Sequence, residues 1–408
     1  MAEQAPAAPR SAVDDPAEEV FAWFRSMLAE HPVYRDDNRL WHVFAYADVA
    51  RVLSDPSTFS SDDRAFNPRQ EDIDRFSRGS IVNLDPPRHR QLRSLVGQVF
   101  TPRVVAGLIG RIEEITRELL DRVRGRETFD LVDTLAYPLP VTVIAQLLGI
   151  PAQDMPLFRR WAEGLFSIQG VDSSTLPSEE LNARVAPIIR EMNTYLLEHI
   201  RARRRRPTDD LIGRLTGARV DGEGLQDDEI VGFVGVLLLA GHVTTTALLG
   251  NAVLCLDRHP EALAELRADP ALLPDAVEEV LRYRSPFPRL SRVTTCEVEL
   301  GDQVIPARRL VMPWVGAANR DPTRFADPER FDIHRRTAGQ LAFGHGIHFC
   351  IGAPLARLES RIALGILLDR YREIAVDRAA TQYNNPWTMV APRRLPVHVP
   401  ADVSARAS

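Results

Sequence analysis

Residues 343–359 read Phe-Gly-His-Gly-Ile-His-Phe-Cys-Ile-Gly-Ala-Pro-Leu-Ala-Arg-Leu-Glu. The stretch sets Cys350 between glycines and just ahead of a predicted helix. Pro354 suits the first helical turn, where its missing N–H costs nothing. Leu355, Leu358 and Ile362 follow at helical spacing. A sulfur here faces the positive end of a helix and free backbone N–H groups, which favour its thiolate. Gly344 and Gly346 let the backbone come close to something flat. Taken alone, Cys350 reads better as a buried thiol before a helix, because free cysteine is among the most buried residue types.

The rest of the chain changes that balance. A length of 408 residues suggests roughly two or three domains, or one large one, and can bury a sizeable core. The net charge of −6 argues against a general nucleic-acid binder. Every one of the 50 basic residues is arginine, which removes lysine Schiff-base chemistry and the phosphate-loop lysine. Cys255, Cys296 and Cys350 lie far apart and form no CxxC, so a reducing cytoplasm fits best. Met1–Asp15 is rich in alanine and proline, lacks the apolar run of a signal peptide, and is expected to be a disordered tail. Val231–Leu256 carries no Asp, Glu, Lys or Arg and is long enough to span a bilayer. Its glycines, His242, Thr244–Thr246 and Asn251 favour the other reading, the central helix of a large protein, and no membrane partner is expected.

Taken in order, residues 16–30 predict an amphipathic helix and Val33–Phe44 a short hairpin. Tyr46–Leu53 predicts a short helix. Ser54–Asn83 predicts a long polar loop with only a weak helical patch near Ile73–Phe76. Predicted helices then follow at Pro86–Val99, Pro102–Val123, Pro138–Leu148, Met155–Ile168 and Pro177–Arg206, split by Gly/Pro breaks. The arginine-rich Arg201–Arg206 reads as a solvated helix end, with a partner-docking patch as the alternative. The long helix Asp227–His259 precedes Pro260–Ala268 and Pro274–Arg284. After Ser285 short β-like runs take over, broken by the helix Pro354–Tyr371. The expected fold class is mainly α with a small β-rich subdomain, as a single domain over residues 16–408.

The cysteine segment fits FxxGxxxCxG through Phe343, Gly346, Cys350 and Gly352. It also meets the tighter FGxGxHxCxG through Gly344 and His348. Glu279-Val280-Leu281-Arg282 supplies ExxR, and Pro328-Glu329-Arg330-Phe331 supplies PERF. Each motif is weak alone, but together, in this order, they are specific. The chain resembles the cytochrome P-450 superfamily of haem-thiolate monooxygenases from about Asp15 to Val399. Asp85–His89 and the Ala240-Gly241-His242 segment resemble its soluble bacterial members.

The resemblance implies haem b (iron protoporphyrin IX) between the long central helix and the cysteine-loop helix, with Cys350 as axial iron ligand. Thiolate suits that role because it donates electron density strongly to iron. Phe343, Gly344 and Gly352 would surround the sulfur side. His89 and Arg93, on one helix face at i and i+4, would hold the haem propionates with Arg292 and His348. Glu279 and Arg282 would form a buried structural pair joined by Arg330. On the central helix Ala240, Gly241 and Thr244 match the pattern (A/G)Gx(E/D)T(T/S), in which glycine allows a local opening and the threonine hydroxyl organises water for proton delivery. The sequence departs from that pattern at Val243, where a carboxylate is usual. His242 projects about 100° around the helix from Val243 and does not simply replace it.

The implied reaction is insertion of one oxygen atom of O2, as hydroxylation or epoxidation, with two electrons and two protons. Electrons are expected from ferredoxin and ferredoxin reductase. Pocket candidates are Ile81 and Val82 from the long loop, and Val236, Leu239 and Ala240 from the central helix. Pro288, Arg289 and Leu290 follow the ExxR helix, and Trp387, Thr388 and Met389 lie in the last hairpin. Most are apolar, so a largely apolar small organic substrate is expected, with a bacterial secondary metabolite as the family-level expectation. The alternative function is a haem-thiolate binding or sensing protein without turnover, for which Val243 is the main support. Phenol coupling and peroxide-driven oxidation are alternative reactions.

Overall fold

The helix Asp227–Arg258 runs through the middle of the molecule, with other helices laid against it. Most of its residues between Ile230 and Leu256 are buried. Asp227, Asp228 and Glu229 occupy its first turn, where negative charge meets the positive end of the helix dipole. Glu229 turns back to accept from the Gln226 N–H at 3.0 Å. Among the described residues it is the helix long and apolar enough to cross a membrane, yet 72% of its most apolar window is buried inside the protein. Pro138–Leu148, Ser178–Arg205, Glu71–Gly79 and the cysteine helix Ala353–Arg370 pack on it.

This is a computed structural model, and it describes residues 15–64, 66, 70–97, 100–168, 178–220 and 222–400. The expected N-terminal tail, Asp15 apart, lies outside the described residues. About 56% of the described residues are helical, so the mainly α class holds.

The stretch 54–83 differs from its expected irregular course. Glu71–Gly79 is a nine-residue helix, capped by the Gln70 side chain accepting from the Ile73 N–H at 2.9 Å. Its own sequence is too polar to announce it, and tertiary contact holds it. A Cβ on Gly232 would stand 2.0 Å from the Phe76 carbonyl oxygen, and one on Gly79 1.8 Å from that of Glu229. The two helices therefore meet backbone to backbone, which only glycine permits. The predicted Pro102–Val123 helix is split into Pro102–Ala106 and Ile109–Asp121. Leu211–Gly217 is a further short helix, capped by Asp210 accepting from the Gly213 N–H at 2.8 Å.

The hairpin Val33–Arg35/Trp41–Val43 forms as predicted but does not stand alone. Trp41–Val43 pairs in parallel with Leu310–Pro313, which pairs with Arg292–Thr294, and that strand with Phe59–Ser60. One five-stranded sheet thus ties residues 33–60 to residues 292–313 and carries Arg292 to the site. A second sheet joins Ala375–Val376, Pro396–His398 and the unanticipated Thr128–Asp130.

Candidate functional site

Cys350 sits where the sequence places it, in a tight loop before the helix Ala353–Arg370. Gly344 and Gly346 have φ of 72° and 67°, the left-handed region that glycine adopts without strain. At Gly346 a Cβ would also stand 2.8 Å from the Leu53 carbonyl oxygen. The Cys350 N–H donates to Phe343 O at 2.8 Å and closes the loop. The N–H groups of Gly352 and Ala353 point at the sulfur. Burial pushes the thiol pKa up, while these two N–H groups and the Arg93 and Arg357 guanidiniums pull it down. The thiolate form therefore calls for a further positive charge, such as a metal ion, against the sulfur.

The sulfur opens on a cavity of about 290 Å³. Phe343, Gly344 and Gly352 border it on the cysteine side, and Ala240, Gly241 and Thr244 line it from the central helix. Thr244 Oγ1 donates to the Ala240 carbonyl at 3.0 Å, so the hydroxyl bonds back to its own helix while facing the cavity. Ile81, Val82, Val236 and Leu290 also line the cavity.

At one edge stand four basic side chains. The His89 and His348 rings lie 4.2 Å apart between centroids. His348 Nε2 shares a 2.9 Å hydrogen bond with Ser61 Oγ, and Arg93 Nη2 donates to Phe349 O at 2.5 Å. Arg292 is 7% exposed and donates to Ser291 O at 2.7 Å. Burial, then the charge of Arg93, holds the His89 pKa down to about 4. Burial, then Arg292, His89 and Arg93, holds that of His348 to about 3. Burial lowers Arg292 to about 10 against the pull of Asp85 and Asp63. His89 Nε2 is buried without a partner. Two arginine cations beside two imidazoles that burial and those charges hold neutral, one with an unpartnered Nε2, suit a doubly anionic group. A flat cofactor with one axial thiolate and two carboxylates at its edge fits this donor set.

The structure places other predicted residues elsewhere. Glu279 and Arg282, both fully buried, form two hydrogen bonds at 2.7 and 2.8 Å. The third member is Arg335, whose Nε lies 3.2 Å from Glu279 Oε1. Arg330 is exposed and contributes its carbonyl oxygen, which accepts from Arg282 at 3.3 Å and Arg335 at 3.0 Å. The turn after Arg330 brings Arg335 back, which no short motif announces.

Leu239, Pro288, Arg289, Trp387, Thr388 and Met389 do not line the main cavity. Leu239 falls off the helix face that repeats through Leu237, Ala240, Gly241, Thr244 and Leu248. Pro288 O accepts from the Gly316 N–H at 2.9 Å, and Arg289 lies 5.3 Å over the Trp314 ring. Trp387 stacks edge-on with Trp23 at 5.0 Å, and Thr388 Oγ1 donates to Asn385 O at 3.0 Å. Met389 packs with Val243 on the opposite side of the central helix. Helical periodicity from Thr244 points to Leu248, which sequence reading left out. Phe100, Ile144, Pro286, Phe287 and Val315 also line the cavity, brought there by chain crossings without a local signal.

Comparison with known proteins agrees with this geometry. A family model described as Cytochrome P450 matches residues 32–397. The chain is 45% identical to cyclomarin C epoxidase CymV of Salinispora arenicola, over 91% of this chain and 94% of that protein. It is 47% identical to erythromycin C-12 hydroxylase of Saccharopolyspora erythraea, over 87% and 88% respectively. The structure of a P450 EryK mutant in complex with erythromycin B superposes with a TM-score of 0.88 at 42% identity, covering 96% of this chain and 99% of that one.

Proposed function

The chain belongs to the cytochrome P450 family and is a haem-thiolate monooxygenase, and we propose that it hydroxylates or epoxidises a largely apolar, uncharged secondary metabolite. One observation carries the reading: the Cys350 thiol and a basic edge of His89, Arg93 and His348, backed by Arg292, share an apolar cavity roofed by the Ala240–Thr244 turn. In this proposal Cys350 ligates haem b within one domain of residues 16–408. His89, Arg93, Arg292 and His348 bind its two carboxylates, with Phe343, Gly344 and Gly352 shaping the sulfur side. Bound in this way, the haem supplies reductive activation of O2 and transfer of one oxygen atom.

The protein's own groups do the rest. Ile81, Val82, Val236, Leu237, Phe287 and Leu290 orient an apolar substrate and exclude water from it. Thr244 Oγ1 holds a water at the cavity side of the helix and hands on protons, releasing its bond to Ala240 O when it does so. Gly241 keeps that turn free of a side chain. No carboxylate lines the cavity among the described residues, so a cationic substrate would have no counter-ion there. Electrons come from a ferredoxin and its reductase in the cytoplasm.

The test is spectroscopic and chemical. The reduced CO complex of the haem-loaded protein is expected to show the strongly red-shifted Soret band of thiolate ligation, absent in Cys350→Ala. A metabolite library is then screened for the substrate-induced spin shift, and hits are turned over under labelled O2. Product containing no labelled oxygen would overturn the reading.

A further inference from the structure

The central helix separates two cavities. Thr244 faces the larger one. His242, Val243 and Thr246 line a smaller one, of about 90 Å³, together with Tyr137, Arg159 and Glu163. Position 243 thus points away from Thr244, and the valine there offers this second cavity no proton.

His242 does offer it a polar atom. The side chain is fully buried, and its Nδ1 lies 2.6 Å from the Leu238 carbonyl oxygen. A carbonyl only accepts, so Nδ1 carries the proton and Nε2 presents a bare lone pair. No protein group reaches that Nε2. Tyr137 meets the ring edge-on at 5.6 Å, but its hydroxyl donates to Met155 O at 3.0 Å. Burial keeps the ring neutral, with a pKa near 4, so Nε2 remains an acceptor at neutral pH. A buried acceptor of this kind takes a water where space allows, and a water needs roughly 10–15 Å³. The cavity as a whole has that room, and Nε2 exposes less than 1 Å² to it, so seating the water takes a small shift of the ring. Its outer wall is the ion pair of Arg159 and Glu163, 2.9 Å apart with side chains 35% and 57% exposed. Solvent therefore reaches one end.

Two threonine hydroxyls bond back to the helix between the cavities. Thr244 Oγ1 bonds to Ala240 O at 3.0 Å and Thr246 Oγ1 to His242 O at 2.9 Å. Such back-bonding weakens and bends a helix.

We propose that His242 Nε2 anchors an ordered water behind the central helix, and that this water supplies Thr244 with protons in place of a carboxylate at position 243. The proposal rests on the monooxygenase reading. A proton from solvent passes the Arg159–Glu163 mouth to the anchored water, and a proton leaves that water across the back-bonded turn toward Thr244. His242 begins and ends neutral, accepting throughout at Nε2. It is a positioning residue, since it touches neither substrate nor haem.

The first test needs no turnover. A high-resolution crystal structure of the haem-loaded full chain is expected to show a water within 2.6–3.2 Å of His242 Nε2, the ordinary hydrogen-bond range. A dry Nε2 overturns the proposal. The second test measures peroxide released per NADPH consumed, with surrogate ferredoxin and reductase. His242→Phe keeps a ring but removes the acceptor, and is expected to raise peroxide release several-fold. Its CO band and substrate-induced spin shift should stay as in wild type. His242→Gln restores an acceptor near Nε2 and is expected to return coupling toward wild type. Val243→Phe fills the same cavity while leaving the His242 side chain unchanged and is expected to uncouple likewise. Wild-type coupling in Val243→Phe overturns the proposal even where His242→Phe does not fold. Loss of the thiolate CO band in the wild-type protein would instead defeat the monooxygenase reading, and the water at Nε2 could still be seen.

Discussion

The guanidinium of Arg335 reaches Glu279, its Nε 3.2 Å from an oxygen that also accepts from Arg282 and from the Asp332 N–H. Glu279 is buried completely, so each donor offsets part of the cost of holding a carboxylate away from water. Glu279→Ala strands Arg282 and is expected to cost about 3–5 kcal/mol. Arg335→Ala removes one charged donor and is expected to cost about 1.5–3 kcal/mol. Arg330→Ala, at an exposed side chain whose backbone does the bonding, should stay within about 0.5 kcal/mol. Urea unfolding of the haem-loaded variants checks the order. An Arg330→Ala loss equal to that of Arg335→Ala would contradict it.

The seam between Glu71–Gly79 and the central helix gives a second expectation. Gly232→Ala would place a methyl 2.0 Å from the Phe76 carbonyl oxygen, and backbone cannot turn aside as a side chain can. Overpacking of this kind typically costs about 1–3 kcal/mol. Because Ile81 and Val82 follow directly on this helix and line the cavity, substrate affinity should fall with stability. Gly110→Ala is the control, since a Cβ there meets nothing within 4 Å. It should stabilise the helix Ile109–Asp121 by about 0.5 kcal/mol. Thermal unfolding and spin-shift titration distinguish the two.

Arg292 tests the anion edge. It is buried, and burial lowers its pKa to about 10 despite nearby acids. If it holds a haem carboxylate, Arg292→Ala loses a charge-assisted bond of about 1.5–3 kcal/mol. Haem should then leave roughly 10- to 100-fold faster in transfer to an apo-globin acceptor. An unchanged transfer rate would remove Arg292 from the site.

Glu359, on the cysteine helix, is buried, and burial pushes its pKa from 4.5 up to about 8. The folded protein therefore keeps a proton there that the unfolded chain releases above about pH 4.5. Its raised pKa makes stability greatest at low pH. That contribution falls as pH rises through the window from 4.5 to 8, by at most about 1.4 kcal/mol per pH unit, and then levels off. Glu359→Gln should remove this slope, gaining on wild type as pH rises. Unfolding free energies of both proteins at several pH values between 5 and 9 decide it, and a constant difference would refute the shift.

Sequence alone determined the parts of this protein that local chemistry dictates. A glycine-flanked cysteine before a helix, a charge-free central helix with an acidic first turn, and His89/Arg93 at helical spacing can each be read along the chain. Their order and spacing were enough to expect a haem-thiolate fold and the helix face through Ala240, Gly241 and Thr244. Only tertiary structure decided which residues meet across distance. Arg335 joins Glu279 because a turn folds back, and Glu71–Gly79 is a helix because two glycine surfaces seat it. Trp387 and Met389 leave the cavity because Trp23 and Val243 claim them. Above all, the side to which His242 and Val243 point was settled by what packs behind the central helix. A linear pattern records spacing, but burial and unpaired lone pairs exist only once the neighbours are in place.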